Sequence, residues 1–505
     1  MRAFNETTPV PKSARPNADD LRVAITFRRP DGQLGPTKFA APLSMQSVEA
    51  FKPNPIDVDV ALAELARRGF TVTARGEMSA SVRCDRTIYE KTFGTKLAPV
   101  SLGRGDAQFS EFLFPPDGAP WEPEPAVQDL IDDAYIQWPH IYMGRAKVAH
   151  LGTAASQPPV SATPPSASYH HLSVPGDVAR LLRATPVHQE GVTGQGVRVV
   201  MIDSGFDHSH PFFPAHAYRS SVVLAPRATN RATDLNGHGT GESANVFAVA
   251  PGCTFTGVKL DNDNDPTSGA SVHEGFLEAL RHDPHIITVS LGYDLREPVN
   301  QPARRLPRSL VALEAEIQAA VARGVIVIFS AGNGHYAFPG QMPEVISAGG
   351  VFIDAQGEMQ ASNYASAFPS GIYSGRTTPD VCGLVGMLPH AAYIMFPQPP
   401  GSEIDVDNAP FDETTPGDGW AAFSGTSAAA PQLAGVCALL KQARPELTPA
   451  QVKAVLRRTA RDVVTGRANS ASDPGGGGGI PASTGEDGAT GAGLVDAFAA
   501  FNQVR

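Results

Sequence analysis

Four short segments carry side chains that together could open a peptide bond. Ser424-Gly425-Thr426-Ser427-Ala428-Ala429-Ala430-Pro431 sets a serine on a tight turn that opens a helix. Gly425 lets the chain turn without Cβ strain. The small apolar run from Ala428 to Leu440 continues as a buried helix, with Pro431 expected in its first turn. A hydroxyl placed there projects beside the free N–H groups of a helix N-terminus. Upstream, Val199-Val200-Met201-Ile202-Asp203-Ser204-Gly205 ends an apolar run in Asp203, and Asn236-Gly237-His238-Gly239-Thr240-Gly241 sets His238 between glycines. Val325-Ile326-Val327-Ile328-Phe329-Ser330-Ala331-Gly332-Asn333 delivers an asparagine from another apolar run.

The two apolar runs have the composition of buried parallel strands. In open α/β sheets, catalytic groups collect at the C-terminal edge of such strands. Singly, each residue has an ordinary structural use. Asp203 and Ser427 could be caps, His238 a polar helix start and Asn333 a turn residue. What selects chemistry is the order Asp, His, Asn, Ser at spacings of 35, 95 and 94 residues, each at the end of a suitable element. Between them strands and helices alternate: Phe255 to Leu260, Val272 to Leu280, Ile286 to Leu291 and Leu310 to Ala322. That alternation predicts an α/β fold, a parallel sheet with helices on both faces.

These segments resemble the subtilisin-like serine proteases, peptidase family S8, whose triad runs Asp, His, Ser along the chain. The resemblance covers roughly residues 174 to 505. It extends to Ser290-Leu291-Gly292, similar to that family's substrate-binding strand, and to Leu447-Thr448-Pro449-Ala450-Gln451-Val452 and Gly491-Ala492-Gly493-Leu494-Val495-Asp496 near the end. Ala428 after the serine is closer to the kexin-like branch. The resemblance implies a serine endopeptidase acting on protein or peptide substrates through an acyl-enzyme. Ser427 is then the nucleophile, His238 the general base and Asp203 the residue that fixes the imidazole. The Asn333 amide and the Ser427 N–H would hold the oxyanion. By resemblance the main pocket has walls of Ser290, Leu291 and Gly292 with Ser330, Ala331 and Gly332, and a floor at Ala337. No carboxylate stands among these seven residues, so an apolar or mixed preference is expected.

Two features set limits on the resemblance. The family usually carries a second, structural histidine where this chain has Gly241. Glu242 lies one helical turn after His238, which raises the related sedolisins, where carboxylates assist the serine. His238 in its His-Gly-Thr setting favours the histidine chemistry, and the sedolisin mechanism stays as the alternative. A catalytically silent, peptide-binding regulatory scaffold is a second alternative, from a different class.

Hydrophobic residues make up 42% of the 505 and charged residues 18%, which suits a large globular core. A formal net charge of −11 gives no electrostatic footing for nucleic acid. Cys84, Cys253, Cys382 and Cys437 are scattered without metal-ligand spacing. Cys253 and Cys437 are expected in the core, reduced. Met1 to Pro16 lacks a secretory apolar core, and no stretch reaches the ~18 apolar residues of a membrane helix. The expected location is therefore cytoplasmic, with no membrane partner.

Residues 1–150 form an expected separate unit with a ferredoxin-like core at about 20–100. Its pattern is a strand at Leu21 to Phe27, a helix at Val58 to Arg68, strands at Phe70 to Ala74 and Ala80 to Cys84, a helix capped by Asp85 to Phe93, and a last strand at Lys96 to Val100. The phrases Ala63-Glu64-Leu65-Ala66-Arg67-Arg68-Gly69-Phe70 and Phe93-Gly94-Thr95 resemble sedolisin-type activation propeptides. That resemblance implies a zymogen in which this unit is propeptide and intramolecular inhibitor. Phe109 to Tyr142 extends it or docks its tail. Residues 151–173, including the Ser/Pro-rich stretch Gly152 to Ser168, are expected as a solvated linker, and 174–505 as the catalytic domain.

Asp261-Asn262-Asp263-Asn264-Asp265 imitates a calcium loop, but Pro266 replaces the needed glycine and Val272 the twelfth-position glutamate. No cofactor is required and no metal ligand is assigned. Calcium stays open through the family's habits, without a motif here. The acidic stretch Glu403 to Asp418 precedes the Ser427 turn and is expected to shape access or be a plain insertion. Gly475 to Gly479 reads as a flexible loop.

Overall fold

Period-two patterning builds the N-terminal sheet. β1 (Leu21–Phe27) pairs antiparallel with β3 (Ser79–Cys84), and β3 with β2 (Thr71–Arg75). Ala80, Val82 and Cys84 of β3 join the unit's own core, under α1 (Pro55–Arg67) and α2 (Arg86–Phe93). The intervening Ser79, Ser81 and Arg83 are buried against the second unit. Asn54 caps α1 and Asp85 caps α2. The fourth strand is β4 (Ile131–Ile136), which pairs with β1. The sheet order β2-β3-β1-β4 is the split β-α-β arrangement expected.

The expected last strand at Lys96 to Val100 is displaced from that sheet. Only Ala98–Val100 is extended, and it pairs with Phe112–Phe114. Pro99 cannot donate to a ladder, which confines it to an edge. β4 lies within the expected extension at Phe109 to Tyr142, where Asp132 and Asp133 break the apolar pattern. Both are buried, with Asp132 accepting from Gly35 N and Asp133 ion-paired to Arg308.

The computed structural model describes residues 20–36, 42–100, 103–104, 107–108, 112–116, 118–138, 140–142, 160–265, 268–297, 301–472 and 479–505. Met1 to Pro16, Phe109, the linker's first half at 151–159, Pro266 and Gly475 to Gly478 lie outside them.

A short strand, β5 (Ile141–Tyr142), ends the N-terminal unit. The rest of the expected linker is docked. Ser161 O accepts from Trp420 Nε1 at 3.1 Å, Ser168 bonds Glu413, and Leu172–Ser173 runs parallel to Ile394–Pro397. The second unit therefore begins before Val174, its first turns hidden by Ser/Pro composition.

The main sheet contains β6 (Arg198–Asp203), β7 (Arg219–Leu224), β8 (Thr254–Lys259), β9 (Ile286–Val289), β11 (Ile326–Ser330), β13 (Ile346–Ile353), β14 (Met359–Ala361) and β15 (Val381–Leu384). Between β9 and β11 comes β10 (Leu291–Asp294), which pairs with β12 (Ala337–Phe338) in a separate small sheet. The main-sheet order is β7-β8-β6-β9-β11-β13-β14, with β15 on β13, and the pairs are parallel except β13 with β14. Val199 and Met201 face one core with α3 (His238–Val249) and α7 (Thr426–Ala443). Val200 and Ile202 face the other, with α4 (Val272–Leu280) and α5 (Arg308–Ala322). Helices thus cover both faces, as the alternation predicts. Between β13 and α7 the acidic segment forms α6 (Glu403–Asp412) ahead of the strand Trp420–Phe423. All four cysteines are buried and unbridged. Among the described residues, no helix is long and apolar enough to cross a membrane.

Candidate active site

Asp203 is the last residue of β6, fully buried. Its Oδ1 accepts from Ser204 N and lies 2.7 Å from His238 Nδ1. His238 is the first residue of α3. Its cap, Gly237, has φ +92°, and a Cβ there would lie 2.1 Å from Gln398 Oε1, so only glycine fits. Asp234 closes the turn. It accepts from Gly237 N, Thr240 N, Thr240 Oγ1 and the Ser204 hydroxyl, while Ser204 Oγ accepts from Gly239 N. Ser204 follows Asp203 inside its motif and Asp234 lies just ahead of the His238 motif, and sequence reasoning assigns a role to neither. The signal for Asp234 was a capping residue one turn ahead of the helical glycines.

Burial works against charge on His238. The Asp203 carboxylate and its hydrogen bond, with Glu242 and Asp234 beyond, more than offset this and hold the imidazolium up to about 9. Glu242 is fully buried, and burial pushes its carboxyl up to about 8. Its Oε2 accepts from Asn245 Nδ2 at 2.8 Å, so the carboxylate bonded to His238 is Asp203. At Gly241 a Cβ would stand 2.4 Å from Gln398 Nε2 and 2.8 Å from Phe423 Cζ. The room of the family's second histidine is filled by these two side chains.

Ser427 is the second residue of α7, and α7 packs against α3. Pro431 sits inside α7 rather than in its first turn. It has no N–H to offer the Ser427 carbonyl, which instead accepts the Ser290 hydroxyl at 2.9 Å. Ser427 Oγ in turn donates to Ser290 O at 3.4 Å. Asn333 follows β11, and its Oδ1 accepts from Thr426 N at 3.0 Å and Thr426 Oγ1 at 3.1 Å. With its oxygen so held, the amide nitrogen is turned away from Thr426. Thr426 Oγ1 also accepts from Gly332 N.

The expected pocket residues gather here. Leu291 and Gly292 lie on β10 directly after Ser290. Gly332, at φ +99°, leaves 3.1 Å between the place of a Cβ and the Ala337 Cβ. Ser330 ends β11, and Ala331 N donates to Ala348 O. The edge of β10 is taken: β5 pairs with it antiparallel, Tyr142 opposite Leu291 and Ile141 opposite Gly292.

The acidic loop has an internal use. The buried Lys259 ammonium donates to Asp263 at 2.6 Å and to the carbonyls of Asn230 and Thr233. Among the described residues, no group of three His, Cys, Asp or Glu is placed to hold a metal ion. Glu403, at the start of α6, accepts from Asn236 Nδ2 at 2.7 Å, which ties that helix to the His238 loop.

The Peptidase S8 profile, the subtilase family, matches residues 194–485, more than half of the chain. The chain belongs to the subtilase family. It is similar to subtilisin E of Bacillus subtilis (strain 168), 28% identical over 306 residues that cover 57% of this chain and 66% of that protein. Subtilisin Savinase of Lederbergia lenta is 27% identical over 300 residues, covering 57% of this chain and 91% of that one. In fold, this subtilase is similar to fervidolysin from Fervidobacterium pennivorans, a keratinolytic enzyme related to subtilisin. The TM-score is 0.55 at 17% identity, over 96% of this chain and 61% of that structure.

Proposed function

We propose that this subtilase is a serine endopeptidase that hydrolyses protein or peptide substrates and is held latent by its N-terminal unit. The observation that carries the reading is the 2.7 Å contact between Asp203 Oδ1 and His238 Nδ1. It commits Nδ1 and leaves Nε2 as the nitrogen for proton transfer, on a helix packed against that of Ser427. Ser427 Oγ attacks the carbonyl as His238 takes its proton. The Asn333 amide and the Ser427 N–H receive the oxyanion. His238 then protonates the leaving amine, and water, activated by the same base, releases the acid. Asp203 stabilises the imidazolium throughout.

Latency is supported by the pairing of β5 on β10, which occupies the strand edge an extended substrate would use. A fluorophosphonate probe tests the activity. Labelling of the wild type but not of Ser427→Ala is expected, with strong loss in His238→Ala. Equal labelling of Ser427→Ala would refute the assignment. A wild type that stays unlabelled even after its N-terminal unit has been removed is a peptide-binding scaffold instead.

A further inference from the structure

We infer that Arg296 is a positioning residue for the oxyanion site, acting through the turn that carries Asn333. The inference rests on the protease reading above, in which the Asn333 amide receives the oxyanion, and adds what holds that turn downstream of Asn333. Upstream, Thr426 Oγ1 accepts from Gly332 N and donates to Asn333 Oδ1. Gly332 and Gly334, at φ +99° and +82°, stand on either side of Asn333. Both take the left-handed region that glycine enters freely, so the backbone is soft before and after the amide. A turn built this way keeps one geometry only if its downstream half is fixed too.

Arg296 fixes it. Its side chain is 9% exposed, and each guanidinium nitrogen donates. Nη2 donates at 2.6 Å to Gly334 O, the carbonyl of the residue after Asn333. Nε donates to Asp294 Oδ2 at 3.1 Å, and Nη1 donates to Ala471 O. The guanidinium carbon lies 5.0 Å from the centre of the Tyr336 ring. Asp294, its ionic partner, works on the same turn: Oδ1 accepts from Tyr336 N at 2.9 Å. One ion pair thus holds residues 334 and 336.

The far acceptor is itself immobile. Ala471 is fully buried with φ +58°, a conformation an alanine keeps only where its surroundings dictate it. Its N–H donates to Asn469 Oδ1 at 2.8 Å, and Asn469 N donates to Ala365 O at 2.8 Å. Arg296 therefore ties the Asn333 turn to a distant, rigid segment. Burying a guanidinium is costly unless its donors are matched, and here a planar fork meets three separate acceptors, which a lysine ammonium cannot copy. The pocket floor has a hold of its own, since Ala337 and Phe338 pair with Asp294 and Tyr293 on β10. Loss of Arg296 should disturb the amide more than the pocket, and so kcat more than KM.

The test is a double-mutant cycle on the full chain: wild type, Arg296→Ala, Asn333→Ala and the pair. The readouts are kcat and KM on a small ester, per active site titrated with a fluorophosphonate. Arg296→Ala should lower kcat about tenfold with KM little changed, since slight misplacement of a group in the site costs up to about 10². In the Asn333→Ala background the same change should alter kcat less than about twofold, because residues that act through one another are not additive. An equal loss in both backgrounds means a merely structural role and overturns the inference, as does an unchanged kcat in Arg296→Ala. Arg296→Lys keeps the charge without the fork, and decides the matter if Arg296→Ala does not fold. It should show a smaller loss that also vanishes without the Asn333 amide; a wild-type kcat, or a loss that persists, overturns the inference. None of these outcomes touches the protease reading. Asn333→Ala with wild-type kcat removes the oxyanion assignment and this inference together, and a wild type without esterase activity removes the protease reading as well.

Discussion

The Ser290 hydroxyl donates at 2.9 Å to the Ser427 carbonyl, the one helix acceptor that Pro431 leaves without a backbone donor. Ser290, just ahead of β10, thus completes the first turns of the helix that carries Ser427. Ser290 and Ser427 are positioned together.

Ser290→Ala should leave that buried carbonyl unsatisfied and lower stability by about 1–3 kcal/mol. It should also reduce kcat, because the Ser427 turn loses a fixed point. Adding Pro431→Ala restores an N–H at the right place in the helix, and should return most of the lost stability. Thermal unfolding of the single and double variants checks this. A double variant no more stable than Ser290→Ala would show that the hydroxyl is not substituting for the missing N–H.

Thr426→Val removes one of two donors that hold Asn333 Oδ1 but keeps side-chain shape and the backbone N–H. The Asn333 amide should then sample both orientations, and kcat on a small ester should fall by roughly tenfold with KM little changed. Asn333→Ala should cost on the order of 10²–10³ in kcat, the loss seen when one oxyanion donor is removed in a related enzyme. If both variants change KM instead, Asn333 serves ground-state binding.

The pH profile follows from the charges around His238. The imidazole acts as base only when neutral, so kcat/KM should rise with pH through about 9, the value to which its acidic neighbours hold it against burial. Glu242 is an acid that burial raises to about 8, and once ionised it helps hold the proton on His238. Glu242→Gln removes that anion, so the acid limb should move to lower pH. An unmoved limb, or one shifted upward, would show that Glu242 exerts no field on the base.

Much of this site is legible in the sequence because apolar strands end abruptly in polar residues. Val199 to Ile202 before Asp203, and Ile326 to Phe329 before Asn333, mark both a strand and what it delivers. The Gly-His-Gly segment marks a helix start for the same reason: no side chain but glycine fits at 237. What stays hidden is what depends on distant partners. The Ser290 to Ser427 bond joins residues 137 apart. β4 is masked by Asp132 and Asp133, whose charges are satisfied by Gly35 and Arg308 far along the chain. β5 is two residues long and has no period to detect, and its meaning comes wholly from the edge of β10. The docked residues from Val160 onward look like linker because their anchors, Glu413 at the end of α6 and Trp420 at the start of the strand after it, lie 245 to 259 residues further along the chain.

Glu316 is one of the anchors that join the two units. Its Oε1 accepts from Met78 N at 2.9 Å, Ser79 N at 2.8 Å and the Ser79 hydroxyl at 2.7 Å. The approach is so close that a Cβ on Gly76 would fall 2.0 Å from the same oxygen. Glu316→Ala leaves the buried Met78 and Ser79 N–H groups of the N-terminal unit without their acceptor, while the Ser79 hydroxyl keeps His273 Nε2 at 2.8 Å. Truncating such a partner costs about 2–5 kcal/mol at an interface, so the severed N-terminal unit should bind roughly 30-fold to several thousand-fold more weakly. Because Glu316 lies on α5, away from Ser427, kcat and KM of the released enzyme should match wild type. Progress curves during release of that unit supply the measurement, with a shorter lag and a raised inhibition constant expected for the variant. An unchanged inhibition constant with unchanged folding would mean that the other contacts between the units, such as Asp133 with Arg308 and Ser81 with Glu274, hold the N-terminal unit without Glu316.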